Sequence, residues 1–412
     1  MKSALIADSA HDNSSEFHLK NMSYDGDYLE EYDYDLNDTC RVPWEELTPA
    51  VAVYSLTFVL GIVGNSLIVF TIFRYRRMKS TTNVFLASLA SADLLLIIIC
   101  IPLKIAKLFS YTWTMGVFLC KMVHYMQNVS AICSVLTLTA MSIERYYAIV
   151  HPMKAKYICT ISQARKIIIG TWLASLLLGA PIMFIQDHIE VGAKIKGYWC
   201  VRDYVNNREW VTAYELYMLI LILIIPTSIM GITYSSICWE IWRVMKQRKT
   251  MTSGKATLTT ETFPLSSKRS TCSIKTTAKS CIRTTDEENG TVRQVIKMLV
   301  MIVIVFVICW GPLLVDNVLT AFGVLPDQKS GTLKHMYTGF TLMAYFNSCV
   351  NPIVYGFMSK NFRESFQKAL CRCCRGPPKR TLSMSQTRTT SIRVSRLRRK
   401  QSKFQDMELT VM

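Results

Sequence analysis

The chain has 412 residues, a formal net charge of +18 and a composition that is 50% hydrophobic. Seven stretches are long and almost free of charged side chains, and about 20 apolar residues suffice to cross a bilayer as a helix. The stretches cover residues 50–73, 84–103, 122–143, 167–186, 216–239, 298–315 and 335–359. A soluble protein of this length would show shorter amphipathic segments with charged faces. These seven stretches therefore exclude a soluble protein and predict an all-α membrane protein with seven spans.

The charges between the spans predict the orientation, because cytoplasmic loops are rich in Lys and Arg. The segments after the first, third and fifth spans are basic, and the chain from residue 359 onward has 14 basic and 3 acidic residues. Residues 1–48 have 12 acidic and 3 basic residues. We expect a multi-pass membrane protein with its N-terminus outside and its C-terminus inside. The positive charge then reflects topology and attraction to anionic membrane lipid, with no nucleic-acid partner.

Residues 1–48 are predicted to be an extracellular, glycosylated acidic tail. Three Asn-x-Ser/Thr sequences predict glycosylation, at Asn13, Asn21 and Asn37. Four tyrosines lie among six acids of this tail, at positions 24, 28, 32 and 34. Two interpretations remain open for them: a solvated, disordered tail, or a tyrosine-sulfated segment that attracts a cationic ligand.

The cysteines divide by compartment, since disulfides persist outside the cell and thiols stay reduced inside. Only Cys40, Cys120 and Cys200 are predicted to be extracellular. Cys120 begins the third span and Cys200 lies in the loop before the fifth, so we expect a bridge that ties this loop to the helices. Cys40 is then free or paired in another way.

Polar residues inside membrane spans are costly and usually functional. Asp93 is the only acid within a clear span, and four other polar positions lie at a comparable depth, namely Ser134, Asn347, Ser348 and Asn351. This group would bind a small cation or an ordered water cluster; the alternative is a satisfied hydrogen-bond network between helices. Prolines within four spans predict kinks, at Pro181, Pro226, Pro312 and Pro352.

The inner side of the spans carries the remaining predicted segments. The triplet Glu144-Arg145-Tyr146 places a charge pair where the third span leaves the bilayer. The bundle is expected over residues 49–359, with a largely disordered loop at about 244–290. Residues 360–374 are predicted to form a short amphipathic eighth helix, and residues 375–412 a disordered cytoplasmic tail. Juxtamembrane cysteines beside basic residues predict palmitoylation, at Cys371, Cys373 and Cys374; a metal site is the rival, but no His follows to complete it.

These motifs, taken in order, resemble the rhodopsin-like, class A G protein-coupled receptors, and the likeness covers roughly residues 49–374. One signature occurs in each span: Gly64-Asn65, Leu89-Ala90-Ser91-Ala92-Asp93, Glu144-Arg145-Tyr146 with Cys120, Trp172, Pro226 with Tyr234, Cys309-Trp310-Gly311-Pro312 and Asn351-Pro352-Ile353-Val354-Tyr355. The resemblance implies a receptor and not an enzyme. It also implies heterotrimeric G proteins, receptor kinases and arrestin as partners.

The resemblance assigns roles to individual residues. The sodium site of the family would consist of Asp93, Ser134, Asn347 and Asn351, with sodium as an allosteric ligand and no other cofactor. The activation switch would involve Glu144, Arg145, Tyr146, Phe306, Trp310, Pro226, Tyr234, Asn351, Pro352 and Tyr355. Many family members place an acid at the inner end of the sixth helix, where this chain has Val292. Restraint of the arginine would then depend on Glu144, which predicts appreciable basal activity.

The ligand class is indicated by the third span. Amine receptors of the family need an acid about seven residues past the Cys at the start of this helix, and this chain has Gln127 there. A glutamine resembles receptors for RF-amide, cholecystokinin and thyrotropin-releasing peptides, and a carboxamide pairs well with an amidated peptide C-terminus. The expected pocket comprises Gln127, Tyr214, Asp316, Asn317, Tyr337 and Thr341, with Asp316 or Glu215 pairing a ligand arginine.

Three alternatives accompany this interpretation. Gln127 could instead make only an interhelical hydrogen bond, and a class A receptor for a non-peptide ligand remains open. A seven-span transporter or light-driven pump is the alternative from another class. A pump would need a lysine in the last span and a relay of buried acids, and a transporter would show internal repeats; neither is apparent. Signalling through the q family of G proteins is weakly favoured over the i family.

Overall fold

A computed structural model describes residues 44–110, 112–191, 196–204, 206–255 and 272–374. The chain divides into two compact units, residues 1–365 and 366–412, and the account below concerns the first. The predicted glycosylation sites, the tyrosine cluster, Cys40 and the tail after residue 374 lie outside the described residues. So do the side chains of Cys371, Cys373 and Cys374.

The described residues are almost entirely helical. In chain order the helices are α1 Trp44–Arg74, α2 Thr81–Leu95, α3 Ile101–Leu108, α4 Gly116–Val150, α5 Pro152–Ile158, α6 Ile161–Gly179, α7 Ile182–Ile185, α8 Arg208–Leu219, α9 Ile225–Lys255, α10 Cys272–Ala321, α11 Gly331–Met358 and α12 Lys360–Cys374. Two strands, β1 Gln186–Val191 and β2 Gly197–Arg202, form an antiparallel hairpin.

All seven predicted spans are helices. Six meet the length and hydropathy of a membrane span, at Leu47–Arg74, Thr81–Leu108, Gly116–Val150, Ile161–Ile185, Arg208–Gln247 and Gln294–Ala321. The seventh is α11, a 28-residue helix that buries Asn347, Asn351 and Pro352. We call these the first to seventh membrane helices. The first packs on the second and seventh, the third on the second, fourth and fifth, and the sixth on the fifth and seventh, so the predicted seven-helix bundle is confirmed.

Two membrane helices contain a π-helical segment next to a proline. Leu96–Cys100 joins α2 to α3 just before Pro102, and Ile220–Ile224 joins α8 to α9 just before Pro226. A proline lacks the N–H that the preceding turn needs, and its ring clashes with that turn. The wider turn relieves the clash, so each helix continues instead of ending. In the fifth helix the hydroxyls of Thr227 and Ser228 donate to carbonyls of the π segment.

The first helix lies very close to the seventh. A Cβ added to Gly64 would meet the Cβ of Pro352 at 2.7 Å, so only glycine fits this contact. The neighbouring Asn65 is fully buried, and its amide donates to the carbonyls of Gly61 at 2.9 Å and Ser348 at 2.8 Å. A buried amide must find such partners. The Gly64-Asn65 motif therefore joins the two helices.

The hairpin is held at one end of the bundle, which we call the outer end; the end that carries Glu144-Arg145-Tyr146 is the inner end. The predicted disulfide between Cys120 and Cys200 is confirmed and ties β2 to α4. The side chain of Lys121 donates to the carbonyl of Met183 at 2.9 Å, and its Nζ lies 3.7 Å from Asp187. The backbone of Trp113 donates to the carbonyl of Tyr198 at 2.6 Å. The hairpin is thus anchored from three sides.

Several helices are longer than the predicted spans. The second membrane helix continues to Leu108 instead of ending at residue 103, because a helix does not stop at the first charged side chain. The fifth and sixth helices also extend past the apolar stretches, since α9 reaches Lys255 and α10 begins at Cys272. Adding a turn to a formed helix costs far less than starting one. Of the loop predicted to be largely disordered, only residues 256–271 lie outside the described residues.

Candidate functional site

The inner end holds a charge pair that is already closed. Arg145 donates to both carboxylate oxygens of Glu144, from Nε at 2.6 Å and from a terminal nitrogen at 2.5 Å. Glu144 is 8% exposed, and bidentate pairs of this kind combine strength with fixed geometry. The hydroxyl of Thr81 donates to Glu144 at 2.7 Å, and that of Thr82 lies 3.4 Å away. The pair is therefore also held by the second membrane helix.

Of the other switch residues at the inner end, two tyrosines are buried and a third faces another way. Tyr234 and Tyr355 are buried, and the Tyr355 ring stacks on Phe362 at 5.6 Å. The Tyr355 hydroxyl has no hydrogen-bond partner within the described part of the chain. Tyr146 faces another way, with its hydroxyl 3.3 Å from Nε2 of His151. Position 292 lies in α10, but its side chain is outside what the structure describes.

In the middle of the bundle, the residues of the expected sodium site are buried together. Asp93 is 1% exposed, and the side-chain amide of Asn351 donates to it at 2.9 Å. Ser134, Asn347 and Ser348 are buried too. No Lys or Arg within the described ranges forms an ion pair with Asp93. One carboxylate with hydroxyl and amide oxygens is a donor set that suits a small, hard cation, so these residues fit sodium.

The aromatic part of the expected switch lies on the sixth helix. Phe306 and Trp310 are one turn apart, buried, and their rings are 6.3 Å apart at 28°. Pro226 is buried on the fifth helix, immediately after the π segment. A wide turn at this point gives the helix a place to bend. Phe306 and Trp310 thus belong to the packed core of the bundle, and the fifth helix has a wide turn just before Pro226.

The outer end brings Gln127 against the seventh helix. The Tyr345 hydroxyl donates to Oε1 of Gln127 at 2.9 Å, which leaves the Gln127 amide N–H groups without a partner among the described residues. Asn128, one position on, donates to the Tyr214 hydroxyl at 2.5 Å. The Thr341 hydroxyl donates to the carbonyl of Tyr337 in its own helix at 2.9 Å. Of these groups, Gln127 has the most hydrogen-bonding capacity left.

The two acids proposed to pair a ligand arginine already have partners. Asp316 forms an ion pair with Lys329, whose ammonium also lies 4.4 Å from the centre of the Tyr337 ring. Glu215 is 1% exposed and lies 2.9 Å from Arg202 of the hairpin. Burial alone would lower the pKa of Arg202, but the Glu215 carboxylate raises it above its ordinary value. A ligand arginine would therefore have to displace an internal cation at either acid.

Several residues of the site were not anticipated from the sequence. Lys104 lies in α3 with its Nζ 3.5 Å from Nε2 of His124 on the third membrane helix. Arg202 enters from the hairpin, and Thr81 holds Glu144 from the second helix. A lysine within the length of a membrane helix is itself a signal, and a longer estimate of the second span would have included Lys104. Nothing in the sequence would have paired Thr81 with Glu144.

The chain is similar to known proteins over most of its length. Residues 64–355 match the model of the 7 transmembrane receptor (rhodopsin family). The pyroglutamylated RF-amide peptide receptor of Rattus norvegicus is 28% identical over 83% of this chain and 76% of its own length. A QRFP-like peptide receptor of Branchiostoma floridae is 31% identical over 80% of each chain. The cholecystokinin receptor type A of Cavia porcellus is 29% identical over 81% of this chain and 84% of its own length.

Proposed function

Because the chain belongs to the rhodopsin family of seven-transmembrane receptors, we propose that it is a plasma-membrane receptor for an extracellular peptide with an amidated C-terminus. Membership of this family means that the chain is a receptor and not an enzyme, and it removes the transporter alternative. We propose that the N-terminus is extracellular and the C-terminus cytoplasmic, as the loop charges predict. The receptor acts on heterotrimeric G proteins, with the q family as the first to test.

The observation that carries the peptide proposal is the state of Gln127. Its Oε1 accepts one hydrogen bond from Tyr345 and retains a second acceptor position. Its N–H groups have no partner in the described ranges. A primary amide at the end of a peptide would fill both open positions of Gln127. Its N–H would donate to Oε1 of Gln127, and its carbonyl oxygen would accept from the Gln127 amide nitrogen. An ammonium would gain nothing comparable from a neutral side chain, and the three similar receptors are named for peptides.

The proposed mechanism is a population shift between two packings of the bundle. In the resting packing Arg145 is held by Glu144 and, through it, by Thr81. Peptide bound at the outer end favours a packing in which the sixth helix moves outward and Arg145 is released to the G protein. The ligand shifts the equilibrium only by its differential affinity for the two states. Asp93, Ser134, Asn347 and Asn351 would hold a sodium ion, whose positive charge would stabilise the resting packing. Phosphorylated Ser and Thr of the cytoplasmic segments recruit arrestin.

The test is agonist-dependent nucleotide exchange in cells that report both calcium and cyclic AMP. A library of peptides is applied in amidated and free-acid forms, and an amidated hit is expected to be at least about tenfold more potent than its acid. Gln127→Ala should remove that difference, whereas Thr341→Val, whose hydroxyl bonds only its own helix, should retain it. Equal potency of amide and acid would refute amidation. Activation by amines and not by peptides would refute the ligand class.

A further inference from the structure

The outer end of the second membrane helix carries a lysine that has no acidic partner among the described residues. Lys104 is half-buried, and its Nζ contacts Nε2 of His124 at 3.5 Å. No carboxylate of the described residues forms an ion pair with it. Two buried acids of the outer end have other partners, Glu215 with Arg202 and Asp316 with Lys329. Lys104 thus has no ionic partner among the described residues.

The geometry of His124 shows that it does not supply the missing negative charge. Its Nδ1 lies 3.1 Å from the carbonyl oxygen of Cys120. A carbonyl only accepts, so Nδ1 carries the hydrogen. In the neutral ring Nε2 is then an acceptor for the ammonium of Lys104. The contact is a hydrogen bond between a cation and a neutral ring, and it leaves the charge of Lys104 uncompensated.

Further positive charge surrounds this contact. Lys107 is exposed one turn beyond Lys104, and both Lys107 and Arg202 repel its ammonium. Removing a cation from water without a counter-charge is costly, and such a cation is normally paired or neutralised. Charged residues inside membrane helices are rare and mark sites of function. An anion beside Lys104 would supply the counter-charge that its ammonium lacks among the described residues.

We propose that the ammonium of Lys104, positioned by its hydrogen bond to His124, binds an acidic group of the ligand, a carboxylate or a sulfate, beside the amide contact at Gln127. The inference rests on the proposed function and specifies which peptide the receptor takes. His124 and Gln127 are three positions apart on one helix, so they share a face and differ by about 4.5 Å along its axis. An extended peptide advances about 3.3 Å per residue. The acidic group therefore lies within about two residues of the amidated end.

The chain itself contains a second source of acidic groups. Residues 1–48 carry 12 acids, and a segment of the same chain would bring the same chemistry as a ligand. We assign the site to the ligand because the Lys104 contact lies within reach of Gln127, whose amide also lacks a partner among the described residues. The experiment must therefore separate an incoming acid from one that the chain supplies.

The first measurement is the melting temperature of the full-length receptor in nanodiscs of neutral lipid. The probes are N-acetyl-aspartate amide and its neutral match, N-acetyl-asparagine amide. The aspartate probe is expected to raise the melting temperature by a few degrees more than the asparagine probe. Lys104→Gln should abolish this difference, while Lys104→Arg and Lys107→Gln should keep it. Equal stabilisation by the two probes, or a difference that survives Lys104→Gln, would overturn the assignment.

A variant with neutral residues at the acids of positions 25, 27, 30, 31, 33 and 35 identifies the source. If the aspartate probe stabilises only this variant and not the natural chain, the chain's own segment fills the site and the proposal is wrong. If the aspartate probe raises the melting temperature of the natural chain and of this variant equally, the site is open to a ligand, as proposed. These melting measurements need no agonist. Failure of every peptide to activate the receptor would therefore refute the proposed function without deciding the anion site.

The second measurement uses amidated peptides synthesised in pairs, with Asp or Asn at each of the three positions before the amidated residue. On the natural receptor, the Asp member is expected to be about tenfold to a hundredfold more potent at the position that reaches Lys104. Lys104→Gln should reduce this ratio to about one, whereas Lys107→Gln should leave it intact. Peptides that activate the receptor with no Asp preference at any position would overturn the proposal.

Discussion

Replacing Thr81 by valine is expected to raise the basal activity of the receptor. The Thr81 hydroxyl donates at 2.7 Å to the same Glu144 carboxylate that holds Arg145. Valine keeps the shape of threonine and removes only the donor. The resting packing then loses a contact that fastens Glu144 to the second membrane helix, so the equilibrium moves toward the packing in which Arg145 is free.

The size of the effect follows from the bond. A hydrogen bond to a charged acceptor contributes about 1.5–3 kcal/mol, and the partly exposed position of Thr81 places it near the lower value. A loss of about 1.5 kcal/mol changes the ratio of active to resting receptor about tenfold. A basal active population of about 1% would rise to about 10%. Glu144→Gln, which removes the charge that Arg145 pairs with, should raise it at least as much.

The assay is agonist-free nucleotide exchange on a G protein, normalised to receptor at the cell surface. Thr82→Val is the matched control, because its hydroxyl is 3.4 Å from Glu144, beyond the range of a good hydrogen bond. Its basal activity should stay close to that of the natural chain. The reasoning fails if Thr81→Val and Thr82→Val act equally. It also fails if Glu144→Gln leaves basal exchange unchanged.

Three further predictions concern the bundle. Gly64→Ala forces a Cβ to 2.7 Å from Pro352 and should lower the melting temperature, since overpacking costs about 1–3 kcal/mol; Gly231→Ala, which has open space, should not. Asn65→Ala removes two buried hydrogen bonds and should cost about 2 kcal/mol; an unchanged melting temperature would contradict the link between helices. Asp93→Asn should abolish any sodium dependence of agonist affinity, and a sodium effect of the same size would show that the ion binds elsewhere.

Most of the architecture was predictable, because each span must satisfy its backbone internally and present about 20 apolar residues to lipid. The disulfide was predictable from compartment together with the positions of Cys120 at the start of a span and Cys200 in the loop before another. The boundaries of the spans were less predictable, because the apolar stretch ends before the helix does. The second span was predicted at residues 84–103, yet its helix continues to Leu108. Lys104 was missed for this reason, because a span defined as an uncharged stretch ends at residue 103 and leaves Lys104 in the following loop.

The sequence predicted which residues belong to the candidate site better than it predicted which of them contact each other. Gln127 was expected to meet a ligand amide, and the structure adds Tyr345 on its oxygen. Asp316 and Glu215 were expected to pair a ligand arginine, but Lys329 and Arg202 already occupy them. Lys329 and Arg202 come from segments outside the membrane helices. Loop residues carry no periodic signal that would show which buried acid they reach.

The sequence by itself determined the number of spans, the family and the residues that stand in each helix, because hydropathy and short motifs are local properties. Only the tertiary structure decided which of these residues meet. Thr81 and Glu144 are 63 positions apart, and Tyr345 and Gln127 are 218 apart. Such contacts depend on how each helix is rotated against its neighbours, and that rotation results from the packing of all seven helices together.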